Sequence, residues 1–429
     1  MVGTELFVSL LDRKIGKLVP TRRGARFSYN EDIVESMAGR PLLSLSLSVK
    51  RKPYNEGLTG AWFRGLLPEG ERLSSVCRSI ACSESDYMII LEHIGWECAG
   101  AVSIYAPECK LPLPSAPQPL DGPTLAKKLR ESPSYGGVDP LVRVSLGGYQ
   151  DKLLLTAEDI TVQDGYVTHA DWAQPDAATI STHIVKPQPS NRYQGIVEGE
   201  AWAMRAASHA ARCASVSLLQ LDDAPLSLVI KRFDRTWDGT ICRRLHQEDC
   251  CQAMGIDPSG KYAGIDVVRG SDPSYVKIAQ LLDLYAVNQE EEKKELLRQL
   301  VVNLVIGNVD AHAKNYALLY RTLASPVMSP LYDVVPVVDI EPRAKHLSMR
   351  IDGVIEFAQV ERNNVLNEAV SWGMSVDDAR RTVDETLSHL AEGVTEATAL
   401  YPQAGERHAA GALERVVRLS SVRCRGTVV

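Results

Sequence analysis

An α+β chain is predicted, with a small N-terminal mixed α/β, barrel-like domain ahead of a bilobal core whose strand-rich lobe precedes a helix-rich one. Three observations predict it. Residues 1–106 carry short apolar runs, LFVSLL, LLSLSLSV and AVSIY, broken by Gly, Pro and charge, the pattern of short strands around a few helices. Strand-like segments dominate from about 141 to 245, namely VRVSL, KLLLTA, THIVK, LSLVIKRF and ICRRL, with one helical pattern, VEGEAWAMRAASHAARC, among them. Beyond 246 the period turns helical, through EEEKKELLRQLVVNLVIG and the stretch from about 365 to 421.

The chain has 429 residues, more than one ordinary core organises, so several domains are expected. The boundaries fall at 1–106 for the N-terminal domain, 107–123 for a linker holding KLPLPSAPQPLDGP, 124–245 for the strand-rich lobe and 246–429 for the helix-rich lobe. The linker prolines disfavour regular hydrogen bonding and predict an extended connection. A functional site is expected where the two lobes meet.

Hydrophobic residues make up 45% and charged residues 24% of the chain, which excludes disordered and fibrous classes. The net charge of -7 repels phosphate backbones, so any nucleic-acid role calls for a partner. Glu5 and Asp12 interrupt the N-terminal apolar stretch and no small-residue cleavage site follows, so no signal peptide is expected. No run reaches the length of a membrane span. No membrane association and a cytoplasmic location are the expectation. The 9 cysteines show no metal spacing, and read as free thiols of a reducing compartment, vicinal Cys250 and Cys251 included.

The segment GNVDAHAKNYALLY, residues 307–320, follows a helix that Gly307 is suited to end. Asp310 and Asn315 stand in the D-x-x-x-x-N spacing of kinase catalytic loops, where Asp takes the proton of the substrate hydroxyl and Asn holds a metal. His312 completes a D-x-H-x-x-N pattern. Plain turns meet that spacing too. Downstream, PLYDVV sets Asp333 among apolar residues in an expected strand pair, where a carboxylate is costly unless it is paired or binds a cation such as Mg²⁺. A turn cap, or a pair with Arg343 or Arg350, is the alternative.

Upstream, RVSLGGYQDKLLL reads as strand, turn, strand, with Gly147 and Gly148 free to let backbone N–H groups approach phosphate, or as an ordinary hairpin. The strand STHIVKPQ ends on Lys186, whose ammonium suits the phosphates of ATP. Glu198 and Glu200 follow on the alanine-rich helix, either able to hold Lys186, with Glu200 preferred; surface carboxylates are the alternative. LSLVIKRFDR runs abruptly into charge. Backbone near Lys231 and Phe233 could meet an adenine at a hinge, or the segment is a strand end with a solvated charge run.

These segments, with FRGLLPEG at 63–70, HIGWECAGAVSIY at 93–105, SLGGYQDK, HIVK, KRFDR, LHQEDCCQAMG at 245–255, GNVDAHAKN and LYD, resemble the HipA family of serine/threonine kinases, toxins of bacterial toxin–antitoxin pairs, over nearly the whole chain. The resemblance implies a protein-kinase-like core that uses ATP and Mg²⁺. It implies Asp310 as catalytic base, Asn315 and Asp333 as Mg²⁺ ligands, Lys186 on the phosphates, and a hinge at Lys231 to Phe233. Ser145 matches the self-phosphorylated serine whose modification switches the kinase off. The implied partners are a HipB-like helix-turn-helix antitoxin dimer, DNA through that complex, and a protein substrate such as an aminoacyl-tRNA synthetase, with growth arrest and persistence as the outcome. Two departures stand out: Lys231 where an acidic hinge residue is expected, and Tyr149 in place of a small loop residue. The block QEDCCQ has no role beyond Glu248 or Asp249 starting a helix. A small-molecule kinase acting on an alcohol or antibiotic, and a non-catalytic antitoxin-binding co-repressor, are the other readings.

Overall fold

The computed structural model describes residues 4–109, 117–131, 152–175, 179–190, 193–239, 241–265, 269–322 and 325–421. Ser145, Gly147, Gly148 and Tyr149 therefore lie outside the described residues. Two compact units emerge, one of residues 1–197, 215–261 and 317–329, the other of 198–214, 262–316 and 330–429.

The first unit opens with a four-stranded antiparallel sheet in the order Gly24–Tyr29, Arg13–Thr21, Leu6–Leu10, Val102–Tyr105. Its first hairpin turns on Leu11 and Asp12, both at positive φ (50° and 62°), the conformation that matches the twist of paired strands. Leu6, Val8, Leu18 and Phe27 pack with Trp62, Phe63, Ile90 and Leu91 from the following helices into one core.

A six-stranded sheet follows in the order Leu153–Leu155, His183–Pro187, Ser227–Lys231, Val216–Leu219, Tyr166–Ala170, Ile160–Gln163. Ser227–Lys231 sits inside it with four residues buried and Lys231 exposed. Helix Gly122–Glu131 lays Leu125 and Leu129 against Leu155, Val185 and Val229. The downstream end of the proline-rich segment is paired rather than merely extended, Gln118–Pro119 against Ala173–Gln174. A three-stranded sheet, Ala317–Thr322 between His246–Asp249 and Ser325–Met328, completes the unit.

The second unit is mainly helical. Helix Gln289–Ile306 starts on an Asn288 cap followed by three glutamates, and ends at Gly307 with φ 82°. Acidic residues favour the positive helix start, and glycine the left-handed stop. From Gln299 to Ile306 every residue is buried, so this helix lies at the unit's centre. Val376–Leu400 instead buries one stripe, Ala379, Val383, Leu387, Leu390, Val394 and Ala397. Among the described residues no helix is long and apolar enough to cross a membrane.

Candidate functional site

In the second unit the loop after Gln289–Ile306 is built residue by residue. A side chain at Gly307 would meet Val338 at 2.4 Å, so both its φ and its surroundings require glycine. Asn308 turns the chain: its Nδ2 donates to Asn303 Oδ1 (2.8 Å) and to the backbone oxygen of Asp333 (3.3 Å). Asn303 Nδ2 in turn donates to the Tyr316 hydroxyl (3.0 Å), itself paired with that of Tyr275 (3.0 Å). Asp310 is left exposed, while His312 and Asn315 are buried. The Tyr332 hydroxyl donates to the backbone oxygen of Lys314 (2.6 Å).

Asn315 Nδ2 donates to Asp333 Oδ2 at 3.1 Å. The opposite side of that amide, Oδ1, is buried and has no hydrogen-bond partner among the described residues. Asp333 differs from its expectation. It lies outside any strand and is exposed between buried Leu331 and Val334, so burial among apolar side chains is not what calls for a partner. Its φ of 59° is a left-handed conformation that Asp tolerates better than most residues, at a cost of about 1–3 kcal/mol. Ordinary turns of this chain use the same conformation, Leu11 and Asp12 among them, so it is the contact with Asn315 and not the φ that sets Asp333 apart.

These groups fit a hard divalent cation. A buried amide oxygen lacking a donor and a neighbouring carboxylate are the oxygen donors Mg²⁺ takes alongside water and phosphate. Asn315 and Asp333 would hold it.

The first unit carries Lys186, Lys231 and Phe233. Lys186 is buried in strand His183–Pro187, opposite Leu228. Lys231 ends its strand exposed and Phe233 is half-buried. The charged run after Lys231 is not solvated. Arg232, Asp234 and Arg235 are all buried, and they meet Glu97 from the N-terminal segment. Glu97 Oε1 accepts from Ser181 N–H (3.0 Å) and hydroxyl (2.7 Å), from Arg232 Nη1 (3.2 Å) and from Arg235 Nη2 (2.9 Å). Arg232 also forks onto both oxygens of Asp234 (2.9 and 2.7 Å), and Gly100, at φ 72°, donates its N–H to Asp234 (2.7 Å). Burial pushes the Glu97 and Asp234 carboxyls up, but the two guanidiniums outweigh it and hold both below the usual range.

Glu198 and Glu200 belong to the second unit and are buried, not surface carboxylates. Burial pushes Glu198 up. The block without a derived role also resolves. Asp249 caps helix Cys250–Met254 in a capping box with Gln252. Glu248 is buried and accepts from the Ser44 hydroxyl (2.5 Å), Leu45 N–H (3.0 Å), Trp62 Nε1 (3.2 Å) and the Tyr320 hydroxyl (2.6 Å). Burial pushes its carboxyl up to about 7 against those hydrogen bonds.

Sequence reasoning missed Asn303, Asn308, Tyr316 and Glu97. Asn308 alone offered a signal, as a polar residue directly after a helix-ending glycine; the others act across distances that local patterns do not carry.

Residues 6–105 match the HipA N-terminal domain and residues 144–395 the HipA-like C-terminal domain. Y4mE, a candidate kinase of Sinorhizobium fredii, is 30% identical over 394 residues, 89% of each chain. The serine/threonine-protein kinase toxin HipA of Shewanella oneidensis is 29% identical over 301 residues, 67% of this chain and 65% of the toxin. In the solved complex of Shewanella oneidensis HipA with HipB and its operator DNA, a chain superposes with a TM-score of 0.80 at 23% identity, covering 96% of this chain and 97% of that one. The fold is shared with that structure, the α+β class is the one the sequence predicts, and the chain belongs to the HipA family.

Proposed function

We propose that the protein is an ATP- and Mg²⁺-dependent serine/threonine protein kinase that acts as a HipA-like toxin. The observation that carries the reading is the buried Oδ1 of Asn315, without a donor among the described residues, tied through its own Nδ2 to Asp333 and five residues from exposed Asp310. The large majority of buried side-chain amides have both ends paired.

The acceptor hydroxyl oxygen attacks the γ-phosphorus of ATP, its proton passes to Asp310, and the bond to the β-phosphate oxygen breaks to release ADP. Asn315 and Asp333 would hold Mg²⁺, which would supply charge neutralisation at the phosphates. Lys186 supplies a second positive charge to them. Lys231 and Phe233 meet the adenine, and Gly147 and Gly148 cover the phosphates. Phosphorylation of Ser145, which precedes those glycines, would set a dianion against the phosphates of ATP and switch the enzyme off. His312 supports the loop from its buried position.

The partner in this reading is a HipB-like helix-turn-helix antitoxin dimer, which carries the complex to DNA that a chain of net charge -7 does not approach alone. The substrate is a cytoplasmic translation protein of the aminoacyl-tRNA synthetase kind, and its phosphorylation arrests growth. The test incubates the purified chain with Mg²⁺ and labelled ATP beside Asp310→Asn and maps phosphate by mass spectrometry. Label at Ser145 in the first protein alone supports the reading. No transfer to itself, to purified synthetases or to a cell extract refutes it.

A further inference from the structure

Asp310 is exposed, and an exposed aspartate ordinarily samples several rotamers. Here its Oδ1 is held by a neighbouring tyrosine. The Tyr262 hydroxyl donates to Asp310 Oδ1 at 3.1 Å, and the Tyr262 ring meets His312 edge-on at 5.2 Å with an interplanar angle of 77°. Tyr262 itself is 43% exposed.

The backbone beneath this contact is fixed from both sides by one residue. Ser348, in strand His346–Ile351, donates its N–H (3.0 Å) and its hydroxyl (2.9 Å) to the backbone oxygen of Val309, the residue before Asp310. The Ser348 oxygen accepts from the N–H of Ala263 (2.8 Å), the residue after Tyr262. Two residues further along the same strand, Arg350 Nη2 donates to the backbone oxygens of Gly264 and Ile265 (2.7 Å each). Strand and side-chain contact thus close a ring that runs Asp310, Val309, Ser348, Ala263, Tyr262 and back to Asp310.

We propose that Tyr262 is a positioning residue for phosphoryl transfer, restricting the rotation of the Asp310 carboxylate through a hydrogen bond to Oδ1. A carboxylate offers about four lone-pair sites, so a hydrogen bond on Oδ1 does not stop Oδ2 from taking the proton. What it removes is rotation, and a base held in place needs no reorganisation at the moment of transfer. The ring against His312 sets where the hydroxyl stands. This inference rests on the kinase reading.

Tyr262→Phe keeps the ring and deletes the hydroxyl, so the fold survives. With the full chain, Mg²⁺ and saturating ATP, the transfer rate is expected to fall about 10-fold, the scale of one hydrogen bond to a charged group. Affinity for a fluorescent ATP analogue stays within about twofold, since the contact is to the base and not the nucleotide. An unchanged rate overturns the inference. So does a fall in rate matched by equal losses of nucleotide affinity and melting temperature, the signature of a structural role. A ¹³C-carboxyl spectrum reads the contact without turnover, with the Asp310 resonance assigned by its loss in Asp310→Asn. It moves in Tyr262→Phe when the hydrogen bond holds the carboxylate, and a fixed resonance overturns the inference. Absence of transfer by the unaltered protein, with that movement intact, refutes the kinase reading alone.

Discussion

The ionic cluster around Glu97 and the polar loop around Asn315 both gather acids and hydrogen-bonding groups, yet one is filled and the other left open. Around Glu97, two carboxylates face two guanidiniums, and Ser181, Gly100 and Gln247 add further donors. Every one of these residues is buried except Gln247, which is half-buried at the edge of the cluster. Around Asn315 the acids are exposed, one sits at strained φ, and a buried amide oxygen lacks a partner among the described residues. Charge that serves the fold is saturated, because an unpaired buried charge is expensive. Around Asn315 the open valence is an uncharged amide oxygen, which costs less to leave without a donor among the described residues.

The comparison breaks first at Asp310. If the loop is kept open for chemistry, Asp310→Asn lowers the transfer rate by about 100- to 10,000-fold, while stability to urea changes by no more than about 0.5 kcal/mol, as for other exposed sites. Equal losses of activity and stability would make the loop a structural element like the cluster. The converse holds at Glu97. Glu97→Ala leaves Arg232 and Arg235 buried with one carboxylate between them, and is expected to cost about 3–5 kcal/mol. Urea unfolding measures it.

Glu248 sharpens the contrast by the sign of its pH dependence. Glu97 and Asp234 are held low in the fold, so their contribution is present above the unfolded carboxyl value of about 4 and is lost as pH falls. Glu248 is pushed up to about 7. Between about 4.3 and 7 the folded chain therefore binds more protons there than the unfolded chain, and stability falls as pH rises through that window. A decline on the order of 2 kcal/mol from pH 5 to 7.5 is expected, and Glu248→Gln should flatten it. A wild-type curve parallel to that of the variant would mean the four donors hold Glu248 ionised.

What the sequence made legible was local. Helix Gln289–Ile306 announced its start with three glutamates and its end with Gly307, and the Asp310 to Asn315 spacing lies within one loop. Strand His183–Pro187 was visible from Ile184 and Val185 leading into Lys186. The rest depends on partners far apart in the chain. Glu97 and Arg235 are 138 positions apart, Glu248 and Ser44 204, Tyr262 and Asp310 48. Periodicity reports which face of an element is buried, not which element covers it. The charged run after Lys231 was plain, but only its distant acid makes it a buried cluster. Asp333 misled for a related reason: apolar neighbours suggested a strand, and a left-handed residue ends one.

The smallest effect tests where the filled cluster stops. Lys231 immediately precedes buried Arg232 yet is exposed, and its strand partner across the sheet is His183. Burial first, and the Lys231 charge second, push the His183 imidazole down to about 4. Lys231→Glu replaces a repelling charge with an attracting one and leaves the burial in place. The His183 midpoint, followed by its ring proton resonance, is expected to rise by about half a unit and stay below the ordinary value. Stability at neutral pH should move by less than about 0.5 kcal/mol. A larger loss would mean that Lys231 belongs to the cluster behind it, whereas a shifted midpoint with stability unchanged keeps it on the open side, where a nucleotide is proposed to lie.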